Sequence, residues 1–130
     1  MNISTIVNTK ENPVNVVSTK RQTVIKKFRG LSLAANDNSY FLMDCDVSEY
    51  LYVYVVVMTE ESHHFELEMY PFYRDKTDIV KKFPYTTIID TNAVSARTDW
   101  IETYSDVIHM NIINDDTNSH TYDITIFGVR

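Results

Sequence analysis

Two adjacent histidines, His63 and His64, lie among the residues of this sequence whose types could bind a metal ion. Imidazole and carboxylate groups hold divalent metals when three or four of them converge. Neighbouring residues of a β-strand point to opposite faces, so the two imidazoles would not converge, whereas His64 and Glu66 would share a face. The nearby acidic residues, Glu60, Glu61, Glu66 and Glu68, define no third ligand by their spacing. We therefore interpret the segment as an exposed polar face and predict no metal site and no cofactor.

A catalytic constellation is not indicated by the sequence either. The single cysteine, Cys45, stands between Asp44 and Asp46, whose charges would raise the pKa of the thiol and disfavour a reactive thiolate. With only two glycines, Gly30 and Gly128, the chain cannot form a Walker loop, a Rossmann fingerprint or a nucleophile elbow. We predict that the protein is not an enzyme and has no catalytic residues.

The segment Asn114–Asn118 resembles a calcium-binding loop in composition. It lacks the glycine and the terminal glutamate of an EF-hand loop. Asn and Asp tolerate the left-handed backbone region and bond their own backbone, so a glycine-poor chain uses them for turns. We interpret Asn114–Asn118, and also 36–38, as connections between strands.

Length and composition indicate one globular domain. The chain has 130 residues, of which 44% are hydrophobic and 23% charged. One cysteine excludes an intramolecular disulfide. We expect no signal peptide at the N-terminus and no membrane span, and hence a protein that folds in a reducing cytoplasm.

Charge is distributed unevenly along the chain. Residues 1–30 carry a net charge of +5 and residues 31–130 a net charge of −11. This predicts a basic N-terminal arm or edge strands over 1–30, attached to an acidic domain over 31–130. The arm residues predicted to contact a neighbouring subunit are Lys20, Arg21, Lys26, Lys27 and Arg29. An ordinary edge strand with outward lysines that block aggregation is an equal alternative. Nucleic acid is an unlikely partner because the acidic domain repels phosphate.

Residues 49–58 show the clearest periodicity of the sequence. Tyr50, Tyr52 and Tyr54 alternate with Leu51, Val53, Val55 and Val57, a period of two that predicts a β-strand. Both faces of this strand are apolar, so one enters the core. The tyrosine face is either a second packed face or an interface, where tyrosine is enriched. Stacking on sugar rings is a further alternative.

The remaining segments also have strand character. We predict an all-β protein, an antiparallel β-sandwich of seven to nine strands that is Ig-like or jelly-roll-like. In the strand 64–70, Phe65, Leu67 and Met69 should point inward. The local predictions are a turn at 44–46, a hairpin loop at 59–62 and an end to the strand 64–70 at Pro71. We also predict one helical turn at 79–82, a strand at 96–104, and a C-terminal hairpin of 105–113 with 120–128.

In overall character the chain resembles the minor structural proteins of tailed bacteriophages, such as auxiliary capsid (decoration) proteins, head-fibre bases and small tail components. The features that carry the resemblance are the basic segment 1–30, the Tyr/Val strand 49–58 and the terminal strand 121–130. The resemblance implies a virion structural protein, homo-oligomeric or lattice-bound, that binds other virion subunits. A carbohydrate-binding β-sandwich module, resting on exposed tyrosines and Trp100, is the alternative function.

Overall fold

The computed structural model of the protein describes residues 22–39, 43–74, 79–82, 86–103 and 105–130. The predicted interface residues Lys20 and Arg21, and the first part of the predicted arm, lie outside the described residues. All regular structure in the described part is β-strand. The strands are β1 (Gln22–Leu33), β2 (Met43–Asp46), β3 (Tyr52–Arg74), β4 (Ile79–Lys82), β5 (Thr86–Arg97), β6 (Ile101–Glu102), β7 (Val107–Asn114) and β8 (His120–Val129).

These eight strands form one antiparallel sheet. Its order is β1-β8-β3-β7-β2, and β4, β5 and β6 pair with the opposite edge of β3. The sheet is nearly closed on itself. The predicted all-β antiparallel fold is confirmed, whereas the two-sheet arrangement of an Ig-like or jelly-roll-like sandwich stays a prediction.

Strand β3 is the central element and spans 23 residues. Its inward row, Val53, Val55, Val57, Phe65, Leu67 and Met69, is buried. This confirms the predicted inward face of 64–70. In the segment 49–58, whose two faces are both apolar, the valine face is the core face. The hairpin loop predicted at 59–62 is wrong, because β3 continues through it. Residues 59–62 form a bulge, because the register of the pairing between β3 and β5 shifts between Met58 and His63. Such a bulge bends and twists a strand.

Strands β7 and β8 lie in line along one edge of β3. Residues 52–59 of β3 pair with β8, and residues 65–72 pair with β7. The predicted C-terminal hairpin of these two strands is therefore wrong. Both strands instead pair with the long central strand and add their inward apolar side chains to its core face. These side chains are Ile108, Met110, Ile112, Tyr122, Ile124 and Ile126.

Strands β1 and β2 follow the same arrangement one place further out. β1 pairs with β8 and β2 pairs with β7. Residues 22–30 of the predicted arm thus lie in a strand at one end of the described sheet order, and this strand continues to Leu33. Its connection to β2 has Asn36 in the left-handed region at φ 56°. That position confirms the expected use of asparagine in place of glycine at a turn.

Several local predictions are corrected by the pairing. Asp44–Asp46 is not a turn but part of β2, in which Cys45 is buried and both aspartates are exposed. Residues 79–82 are a strand rather than a helical turn, since they pair with 72–74 of β3. Pro71 lies within β3 and does not end it. The strand predicted at 96–104 is interrupted, because β5 ends at Arg97 and Trp100 lies in the link before β6.

Gly128 provides a test of packing at one end of the core. It lies opposite Val53 and is buried. A Cβ at this position would lie too close to side-chain atoms of Ile25 and Tyr50. We expect Gly128→Ala to lower the free energy of unfolding by about 1–3 kcal/mol, the usual cost of overpacking. Urea denaturation measures this loss.

The double variant Ile25→Ala/Gly128→Ala is the control for this explanation. Shortening Ile25 removes the obstructing atoms, so the loss in the double variant should be smaller than the sum of the two single losses. Additive losses would contradict the proposed crowding.

Candidate functional site

Two clusters of titratable side chains lie beside the bulge of β3, one on each face of the sheet. His63 points to the inside of the sheet and is buried, whereas His64 points outward and is half-buried. The prediction that the two imidazoles do not converge is confirmed. Each histidine gathers partners from neighbouring strands, and the two resulting groups are called here the inner cluster and the outer cluster.

The inner cluster is built around two stacked imidazole rings. The rings of His63 and His120 are parallel within 3°, with centroids 3.5 Å apart. Nδ1 of His120 lies 3.0 Å from Glu60 Oε2, and its Nε2 lies 2.6 Å from Asp116 Oδ2. A carboxylate only accepts hydrogen bonds, so both nitrogens of His120 donate and the ring is a buried imidazolium.

Both ring nitrogens of His63 also have partners. Its Nδ1 lies 2.7 Å from the carbonyl oxygen of Glu61, which only accepts, so Nδ1 carries a proton. Its Nε2 forms a hydrogen bond of 2.5 Å with the hydroxyl of Tyr122. Burial raises the pKa of this phenol and keeps it protonated at neutral pH. Both stacked rings therefore have all their nitrogens engaged.

The carboxylates of the inner cluster hold its charges in place. Burial lowers the pKa of His120, but the hydrogen bonds to Asp116 and Glu60 outweigh it, and the pKa lies above the usual 6.5. Slight burial raises the pKa of Glu60, but hydrogen bonds led by those from the Thr59 hydroxyl and the Thr121 amide bring it down to about 2. The raised pKa of His120 and the lowered pKa of Glu60 therefore both favour the charged forms of this ion pair.

The outer cluster collects one imidazole and three carboxylates. His64 and Glu66 lie on β3, Asp90 lies directly opposite Glu66 on β5, and Asp115 follows β7. His64 Nε2 is 2.5 Å from Asp90 Oδ1, and His64 Nδ1 is 3.3 Å from Asp115 Oδ2. Sequence reasoning found His64 and Glu66 on one face but missed both aspartates, because only strand register brings them close.

A third feature lies on the outer face of the sheet near the start of β3. Tyr54 stacks on Phe127 with centroids 4.7 Å apart, and Trp100 meets Tyr54 edge-on, also at 4.7 Å. Val24 of β1 is in register with Phe127. The row of Val24, Phe127, Tyr54 and Trp100 crosses the sheet, with Tyr52 next to it. This set is called the outer aromatic patch, and within it Tyr52 and Trp100 are each 43% exposed.

Two cations border the outer aromatic patch. The guanidinium of Arg97 lies 5.8 Å from the centre of the Tyr54 ring. Lys27 is in register with Thr125, which pairs with Val56, and Val56 pairs with Arg97. The next row across the sheet therefore begins and ends with a positive charge.

The predicted interface residues are only partly brought together. Tyr52 and Tyr54 share the outer aromatic patch, but Tyr50 is separate, because its ring lies over Gly128 at the inner end of the sheet. Lys26 lies 5.6 Å from the ring centre of Phe28, and Lys27 and Arg29 are exposed. The assignment of these residues to an interface stays a prediction.

Cys45 is not a candidate nucleophile. Burial is the main cause that raises the pKa of its thiol to about 11; the charge of Lys26 opposes this rise, and the charges of Asp46 and Asp44 add to it. The sequence argument predicted correctly that the pKa of Cys45 is raised, but burial contributes more to the rise than the two aspartates do.

Comparison with known proteins adds no identification. No protein-family model matches the sequence, and no curated protein matches it significantly. In the described part of the chain, no helix is long and apolar enough to cross a membrane. The function is therefore argued from the geometry of the patch and the clusters.

The charged state of His120 predicts a dependence of stability on pH. Its folded pKa lies above the unfolded value of 6.5, so its stabilising effect is complete below pH 6.5 and is lost as the pH rises through the folded pKa. Glu60 has an unfolded pKa of 4.5 and contributes above that pH. We expect the difference in unfolding free energy between the wild type and His120→Gln to be largest between pH 4.5 and 6.5.

Urea denaturation of both proteins at a series of pH values measures this difference. Comparison with the variant cancels the titration of groups that both proteins share, including His64. A difference that stays constant up to pH 9 would show that His120 is not the charged partner of Glu60 and Asp116.

Proposed function

We propose that this protein is a non-enzymatic structural component of a tailed-phage virion that binds neighbouring capsid or tail subunits through β1 and the outer aromatic patch. The observation that carries the proposal is the row of exposed or half-exposed apolar side chains from Val24 to Trp100. A contiguous apolar surface on a small protein marks an interaction site. Tyrosine, tryptophan and arginine are the residues that contribute most at such sites.

Charge supports a protein as the partner. Residues 31–130 carry a net charge of −11, whereas Lys27 and Arg97 border the patch with positive charge. An acidic protein surface, such as that of a second copy, complements this border. The predicted arm residues Lys20 and Arg21 add positive charge just before β1. We therefore propose a homo-oligomer or a lattice-bound subunit, with neither nucleic acid nor a membrane as its partner.

The proposal also includes the two-sheet arrangement of the fold. In it, the two halves of the bent sheet act as the layers of a β-sandwich of Ig-like or jelly-roll-like type. Such a body presents one outer face to its neighbours while the inner row of β3 holds the layers together.

Self-association tests the proposed interface directly. We expect the wild type to form oligomers in multi-angle light scattering, and to co-purify with phage particles. Trp100→Ser removes an aromatic anchor and Lys27→Glu reverses a border charge, so each should weaken association about tenfold or more. Val94→Ser is the matched control, because Val94 is 50% exposed but lies outside the patch.

A wild type that remains monomeric at high concentration and is absent from particles would contradict the proposal. So would an equal loss of association in Val94→Ser, since the effect would then not belong to the patch.

The alternative function is that of a carbohydrate-binding module. Tyr52 and Trp100 are both exposed on the outer side, where sugar rings stack on aromatic faces. On a glycan array, this alternative predicts binding that is lost in Tyr52→Ala and Trp100→Ala but kept in Val94→Ala. A wild type that binds no glycan and still forms oligomers favours the virion proposal.

A further inference from the structure

The outer cluster has an arrangement that the proposed function does not use. Its groups come from three neighbouring parts of the sheet, namely β3, β5 and the segment after β7. Ligand-type atoms of His64, Glu66 and Asp90 all lie within 4.8 Å of one another. Asp115 joins them, held there because its amide donates to the carbonyl of His64 at 3.1 Å.

The cluster carries more negative charge than its own residues neutralise. Glu66 and Asp90 face each other across neighbouring strands, a like-charge pair that destabilises a sheet. Asp115 adds a third carboxylate, and a fully protonated His64 supplies only one positive charge. A bound cation would balance this excess.

One carboxylate oxygen of the cluster also lacks a hydrogen bond. Oδ2 of Asp115 is buried and accepts no hydrogen bond while Glu66 is ionised. Nδ1 of His64 is 3.3 Å away, which is close enough for an ion pair but not aligned for a hydrogen bond. A buried acceptor without a donor is costly, so a positive charge near this oxygen would be stabilising.

The protonation of Glu66 reflects the same excess of charge. A hydrogen bond with the carboxyl group of Asp115 is the main cause that raises the pKa of Glu66 to about 7, and burial and the charges of Asp115 and Asp90 add to it.

We propose that His64, through Nε2, Glu66 and Asp90 bind one divalent transition-metal ion, with the charge of Asp115 nearby on the Nδ1 side of the imidazole. One imidazole nitrogen with carboxylate oxygens is a donor set that suits Zn²⁺, whereas Ca²⁺ and Mg²⁺ prefer oxygen ligands alone. Bonds of about 2.0–2.2 Å place ligand atoms at most about 4.4 Å apart. The three side chains are partly exposed, and the ion would replace the proton between His64 Nε2 and Asp90 Oδ1.

The inner cluster is the natural comparison. Glu60, Glu61 and His120 also lie close together. Both nitrogens of His120, however, already donate to carboxylates, and the ring is buried. An ion there would have to break the network that holds the two stacked rings, so the geometry favours the outer cluster.

The bound ion would join β3 and β5 beside the bulge of the central strand. It would therefore stabilise the folded protein, since binding to the folded state alone raises the unfolding temperature. This role does not depend on the outer aromatic patch, and either proposal can fail without the other.

Calorimetric titration of the EDTA-treated protein with Zn²⁺ tests the site. We expect one ion per chain and an increase of Tm with Zn²⁺ that Ca²⁺ does not give. His64→Asn, Asp90→Asn and the isosteric Glu66→Gln should each weaken Zn²⁺ binding about tenfold or more, because each removes a ligand. Asp99→Asn, which removes an exposed carboxylate outside the cluster, should bind like the wild type.

Three results would overturn the proposal. The first is a wild type that binds no Zn²⁺, and the second is a folded Glu66→Gln variant that binds as tightly as the wild type. The third is binding that is lost in Glu61→Gln but kept in His64→Asn, which would assign the ion to the inner cluster. Near-UV circular dichroism of the metal-free variants shows which are folded, and Glu66→Gln decides the test if His64→Asn is not.

Discussion

The structure depends on one strand that is hydrogen-bonded on both edges. β3 pairs with β8 and β7 along one edge and with β6, β5 and β4 along the other. Its inward side chains form two buried runs, 53–57 and 63–69, on either side of the exposed residues 60–62. Fully burying an aliphatic or aromatic side chain contributes about 1.5–3 kcal/mol, so these runs are the largest shared source of stability.

The bulge of β3 explains why polar groups are buried beside its inward apolar side chains. At 59–62 the partner strand on one edge of β3 changes from β8 to β7. Polar backbone and side-chain groups at this change of partner need hydrogen bonds from outside the regular strand pairing. Asn114, which is fully buried, donates to the carbonyl oxygens of Ala34 and Asn118. The stacked rings of His63 and His120 likewise form hydrogen bonds with polar groups beside the bulge. Polar residues at this place therefore follow from the change of partner strand.

The sequence predicted the features that depend on local periodicity. The inward faces at Phe65, Leu67 and Met69 follow from an alternation that neighbouring residues determine. The hairpin loop at 59–62 was wrong because four polar residues resemble a turn, although Val57 and His63 are an even number of residues apart and keep the inward face. Asp90 could not be placed beside Glu66 from sequence, since that contact depends on which strands pair and in which register.

The pairing of β1 with β8 also determines when the protein can fold. Gln22 lies opposite Val129, and Leu33 opposite His120, so the first described strand waits for the last one to be made. During synthesis the central strand emerges long before β7 and β8 can cover its inward row. Contacts between distant parts of a chain form slowly. The nascent chain therefore exposes the inward row of β3 until β7 and β8 have been made.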